Sequence, residues 1–127
     1  MNNAIPFDNA CVATDGTERA ICELAWNPHP VFSGVRIKDL ITGADTGGSL
    51  SCHLVHVAPG CCLEDHTHPT QTELHQVADG DGICMIQDRK VAYQPGKMAI
   101  IPQGERHSVR AGKLGLTLVA TFSPPLK

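Results

Sequence analysis

The chain has 127 residues, of which 42% are apolar, 18% charged and 4% aromatic, with a formal net charge of −3. That length suits one domain able to bury a single core without staples, with aliphatics and cysteines filling the interior. The weak negative charge, the lack of a basic patch and the absence of any run of ~18 apolar residues argue against a nucleic-acid partner, a membrane partner and a membrane-spanning helix.

Met1 to Asn9 reads as irregular, punctuated by Pro6. The opening MNNAIPFDNACVATDG has no basic segment followed by a long apolar one, so it does not read as a secretory signal. The six cysteines, Cys11, Cys22, Cys52, Cys61, Cys62 and Cys84, are therefore expected to be reduced, in a cytoplasmic protein, acting mostly as small hydrophobes. Their spacing matches no zinc finger. The run Asp15–Trp26 predicts a short helix, with Asp15 as cap, Glu18 at capping-box spacing and an apolar stripe of Ala20, Ile21, Leu24 and Ala25. The AICELAW part of it also suits a strand. Asn27-Pro28-His29-Pro30 ends the segment and closes an N-terminal extension over 1–30.

From Val31 the pattern becomes that of short strands. VFSGVRIKDLI places Val35 and Ile37 on one face and Arg36 and Lys38 on the other. After the glycine-rich turn TGADTGGS comes LSCHLVHV, a strand in which His53 and His56, three apart, face opposite sides. They cannot both ligate one ion there. Glu73–Ala78 is a strand with His75 and Val77 on the face of Glu73. Asp79-Gly80-Asp81-Gly82 predicts a hairpin, as does Ala111-Gly112-Lys113. Met98–Ile101 reads as a buried strand, and Leu114–Phe122 closes the sheet before Pro124-Pro125. Turns every 8 to 12 residues predict an all-β antiparallel sandwich or barrel over 31–127.

Two stretches carry chemistry. In GCCLEDHTHPTQTELHQVADG, His66 and His68 are two apart and so share a strand face. Pro69–Thr72 reads as a turn, and Glu73 re-enters a strand to face the imidazoles. In GKMAIIPQGERH, His107 follows the turn Pro102-Gln103-Gly104 and supplies a fourth donor. Three imidazoles and a carboxylate suit one divalent transition metal, Fe, Mn, Ni or Zn. Gln71, His75 and Gln76 are candidates to orient the ligands or touch substrate, as are His53 and His56.

The first stretch resembles the first motif of the cupin superfamily, G-x5-H-x-H-x3-4-E-x6-G, at Gly60, His66, His68, Glu73 and Gly80. The second is similar to the second cupin motif, G-x5-P-x-G-x2-H-x3-N, at Gly96, Pro102, Gly104 and His107, with Ala111 where the family has Asn. The HTHPTQTE wording is also similar to germins, whose oxalate or superoxide chemistry it brings to mind. The resemblance spans roughly Leu50 to Phe122. It implies a single-domain jelly-roll barrel with metal ligands at His66, His68, Glu73 and His107. It also implies a metal-dependent dioxygenase, isomerase, decarboxylase or lyase acting on a small polar molecule, or a non-enzymatic binding or sensing module. Exposed sheet edges predict a homodimer.

Overall fold

The structure, a computed structural model, describes Phe7 and residues 9–127. The irregular stretch Met1–Asn9 thus lies mostly outside the described residues. Among those residues the chain forms ten strands and two short 3-10 turns, with no α-helix. The strands are β1 (Cys11–Ala13), β2 (Glu18–Ala20), β3 (Trp26–Pro28), β4 (Val35–Ile41), β5 (Ser51–Val57), β6 (Cys62–His66), β7 (Thr72–Ile86), β8 (Arg89–Tyr93), β9 (Met98–Ile101) and β10 (His107–Ser123). All pairings are antiparallel.

Two long strands, β7 and β10, pair along their whole length and serve both layers of a sandwich. The first half of β7 and the second half of β10 join β9, β5, β4 and β3 in one layer. Their other halves join β6 and β8 in the facing layer. The register breaks where they pass from one layer to the other, between Ala111 and Leu116 on β10. Gly80 makes that crossing possible. Its φ is +84°, and a Cβ there would lie 2.0 Å from the Gly115 carbonyl oxygen. Only a residue without a side chain allows so close an approach.

The two hairpins expected at 79–82 and 111–113 are therefore absent. Both glycine clusters are bends inside continuous strands, since glycine permits a layer crossing as readily as a turn. The helix expected over Asp15–Trp26 is absent too. The segment holds β2, a 3-10 turn at Ile21–Glu23 and the start of β3. Ile21 is buried with Val12, Leu40 and Leu54 in a small outer core. Packing against the sheet, and pairing of β2 with β1, override a weak helical stripe. All six cysteines are free thiols.

The main core lies between the layers. Val35, Val55, Val57, Val77, Leu116, Leu118 and Phe122 from one layer meet Cys84, Tyr93 and Val109 from the other. Period-two alternation puts Glu73, His75 and Val77 on this inner face of β7, and Ser51, His53 and Val55 on that of β5.

Candidate metal centre and its cavity

His66 ends β6, His107 begins β10, and the register sets the two directly opposite each other. Their rings lie 4.1 Å apart, centroid to centroid. Each is aimed by its own backbone. His66 Nδ1 is 2.7 Å from the Glu64 carbonyl, and His107 Nδ1 is 3.1 Å from the Glu105 carbonyl. A carbonyl only accepts, so each Nδ1 carries a proton and each Nε2 is the atom turned toward the site. His68 lies in the loop after β6. The Gly104 amide donates to the His68 carbonyl (3.0 Å), and Gln103 Nε2 donates to that of Pro69 (2.9 Å). The Pro102–Gly104 turn thus fixes the loop that carries His68. Phe122 packs edge-on against its ring at 4.9 Å.

Glu73 enters from the facing layer, on β7, with β9 Ile101 and β10 Phe122 as its cross-strand neighbours. Its two oxygens have separate surroundings. Oε2 accepts from His75 Nε2 at 2.8 Å. Oε1 lies 3.1 Å from His107 Nε2 and 3.5 Å from His68 Nε2. The ligand nitrogens of His66, His68 and His107 all fall within 4.8 Å of one another, as do the ligating atoms of Glu73, His75 and His107. Behind His75, the Tyr93 hydroxyl is 2.8 Å from Nδ1. An ionised Glu73 requires a proton on His75 Nε2, so Nδ1 is the acceptor and Tyr93 the donor.

The donor set fits a metal on an observation independent of motif. Glu73 Oε1 and His107 Nε2 are buried, 3.1 Å apart, and neither has an aligned hydrogen bond among the described residues. Buried polar atoms are rarely left so. Two atoms bound at ~2.1 Å and at right angles about one ion would be about 3.0 Å apart. The charges agree. Burial pushes the His66 imidazole down to about 4, and burial likewise lowers His68. Both are neutral and ready to ligate. Burial opposes ionisation of Glu73, but the imidazoles of His75 and His107 outweigh it and hold the carboxyl well below its usual range. His107 moves the other way. Burial lowers it, yet the Glu73 carboxylate and the Glu105 carbonyl together raise it.

Three of the four donors, His66, His68 and Glu73, line a cavity of about 80 Å³, walled by Ile37, Val55, Leu63, Phe122 and Leu126, with His29 and His53. A wider depression of about 440 Å³, lined by Asp65, Thr67, Gln87, Asp88, Gly104 and Arg106, contains none of the four donors. His53 is 1% exposed and engaged at both nitrogens, by Asp39 at 2.7 Å and Ser51 Oγ at 2.8 Å. His56 lies on the opposite face of β5, near Thr117 Oγ1 at 3.1 Å. Gln71 donates to the Pro125 carbonyl at 3.4 Å and Gln76 is exposed. Neither glutamine is among the residues that line the cavity. Tyr93, Asp39, Ser51, His29 and Leu126 were not singled out from the sequence. A signal existed only for Tyr93, the sole tyrosine, in a strand whose inner positions line the core.

A family model described as a cupin domain matches residues 53–119, and the chain belongs to the cupin family. Among solved structures it is similar to KdgF from Halomonas sp., with TM-score 0.71, 20% identity, and 81% of this chain and 90% of that one covered. A predicted oxalate decarboxylase from Thermotoga maritima aligns with TM-score 0.72 at 18% identity, over 82% of this chain and 96% of that one. The polyketide cyclase RemF from Streptomyces resistomycificus aligns with TM-score 0.71 at 19% identity, over 84% and 77%. At such identities these likenesses carry the fold and no activity. No curated protein matches the sequence.

Proposed function

We propose that this cupin is a metal-dependent enzyme acting on a small polar molecule, with His66, His68, Glu73 and His107 as the ligands of one divalent transition ion. The observation that carries the reading is the pair of buried atoms with no hydrogen-bond partner among the described residues, Glu73 Oε1 and His107 Nε2, beside two further imidazoles that line a small, mostly apolar cavity. When bound, the ion supplies Lewis acidity at coordination positions that four protein ligands leave open.

The chain's own residues do the rest. The Glu64 and Glu105 carbonyls hold His66 and His107 in the ligating tautomer. Tyr93 and His75 fix one oxygen of Glu73, so that the other is presented to the ion. The aliphatic walls lower the local polarity, which strengthens charge stabilisation at the reacting atoms. Dioxygenase, isomerase, decarboxylase and lyase chemistries all fit this arrangement.

A specific observation favours a second reading, a binding or sensing module. His53 and His75 each have both ring nitrogens engaged, so neither is free to act as a general base in the cavity. One experiment separates the two. The purified protein is analysed for metal, stripped, reloaded and assayed on a panel of hydroxy- and keto-acids with oxygen uptake followed. Turnover that disappears on stripping and returns on reloading supports the enzyme. A loaded protein that binds panel members and turns none over supports the sensor. The proposed homodimer is consistent with Met98 and Ile100, 58% and 59% exposed on β9, whose one partner strand among the described residues is β7. A sedimentation mass of one chain at micromolar concentration would oppose it.

A further inference from the structure

The cavity wall holds one histidine whose geometry the metal reading does not use. His29 lies between Pro28 and Pro30, which restrict the backbone on both sides of it. Its Nδ1 accepts two backbone amides, those of Val31 and Phe32, each at 3.1 Å. An atom that accepts two N–H bonds holds its lone pair, so the ring proton sits on Nε2. Phe32 stacks on the ring at 4.8 Å and 23°, which fixes its plane. Nε2–H makes no hydrogen bond within the described residues, and the ring lines the cavity. It is a fixed, neutral donor held ready at the wall. Burial and the nearby Lys127 ammonium both keep the ring uncharged.

The rest of the cavity narrows what such a donor could meet. A divalent ion with one carboxylate and three neutral imidazoles retains a net charge of one. In an apolar enclosure that charge favours a ligand bearing a single negative charge. Asp39, which lies behind the wall residue His53, is already paired with His53 and Lys127. Ile37, Val55, Leu63, Phe122 and Leu126 offer only apolar surface. The volume, about 80 Å³, equals two or three waters at ~30 Å³ each.

We propose that the cavity takes a compact, singly anionic molecule with an apolar body, such as a short monocarboxylate, and that the Nε2–H of His29 selects it by donating to one of its oxygens. This rests on the metal reading above.

The test uses cobalt(II)-loaded full-length protein and reads ligand binding from the cobalt visible spectrum and from calorimetry, without any assay of turnover. The probes are acetate, propanoate and 2-oxopropanoate, against propanamide as the neutral match and butanedioate as the doubly charged one. The decisive variant is His29→Asn. Asn places an oxygen where Nδ1 was, so it can still accept the Val31 and Phe32 amides, but it has nothing at the position of Nε2. At least one monoanion should bind tenfold or more tightly than propanamide, and more tightly than butanedioate. H29N should weaken that binding about tenfold, the worth of one charge-assisted hydrogen bond, at unchanged cobalt stoichiometry. His29→Gln, which restores a donor near Nε2, should recover part of the loss. If propanamide binds as tightly as every acid, or H29N binds the acids like the native protein, the assignment is wrong while the metal site stands. A native chain that takes up no cobalt overturns both.

Discussion

Replacing Tyr93 with Phe removes a single oxygen from the least accessible part of the site. Tyr93 and His75 are each 2% exposed. The hydroxyl lies 2.8 Å from His75 Nδ1, and His75 Nε2 lies 2.8 Å from Glu73 Oε2. The phenyl ring keeps the packing, so the loss falls on hydrogen bonding. Nδ1 becomes a buried acceptor with no donor, which costs about 1–3 kcal/mol. For a chain of this size that lowers the melting temperature of the metal-free protein by about 4–12 °C. His75 is then free to turn, and Glu73 loses the contact that fixes its second oxygen. Outer hydrogen-bond partners of this kind are worth about 10- to 100-fold in metal affinity. Thermal melts by circular dichroism and competition against a fluorescent zinc chelator measure the two effects. A melting point within about 1 °C of the native protein, with affinity within a factor of two, would mean that Tyr93 does not orient the carboxylate through His75.

His68→Ala or His107→Ala should abolish tight metal binding while circular dichroism still reports a β fold; native metal content in both variants would remove them from the site. Metal affinity should fall with acid in two stages. His107, raised from its ordinary value in the metal-free protein, must release a proton on binding, so affinity drops about tenfold per pH unit below its folded value, and a further loss begins as His66 titrates near 4. Competition titrations between pH 4 and 8 check this, and a flat profile contradicts it. In the metal-free protein the two histidines act oppositely on stability. His66, lowered from 6.5, is neutral in the fold and protonates more readily once unfolded, so its contribution is lost as pH falls from 6.5 towards 4. His107, raised, contributes stability below 6.5 and loses it as pH climbs through its folded value. Gly80→Ala forces a methyl to within 2.0 Å of the Gly115 oxygen at a φ of +84°, and should cost several kcal/mol; a melting point within 2 °C of native would show that the layer crossing tolerates a side chain.

The barrel was legible because alternation survives burial. Val35 and Ile37, or Val55 and Val57, show the core face whatever their neighbours do. The four clustered donors were legible for a different reason: local spacing gathers His66, His68 and Glu73, and a turn places His107. What escaped was set by contacts distant in sequence. Gly80 reads as a turn residue until Gly115 lies against it, 35 positions downstream. Asp15–Trp26 carries a helical stripe, and nothing local says that Ile21 will be buried under Leu40 and Leu54. Tyr93 meets His75 across 18 residues and His53 meets Asp39 across 14, so neither partnership leaves a trace in spacing. Gln71 and Gln76 were attractive by proximity to Glu73, yet strand parity turns Gln76 outward, and Gln71 is drawn to the Pro125 carbonyl instead.

The most direct test of the site is a crystal of the metal-replete protein with anomalous diffraction recorded above and below the absorption edge of the bound element. One peak is expected within about 2.0–2.3 Å of the Nε2 atoms of His66, His68 and His107 and of Glu73 Oε1, with His75 remaining a hydrogen-bond partner of Glu73. A peak held instead by Glu73, His75 and His107, or no peak between these side chains at full occupancy of the protein by metal, would contradict it.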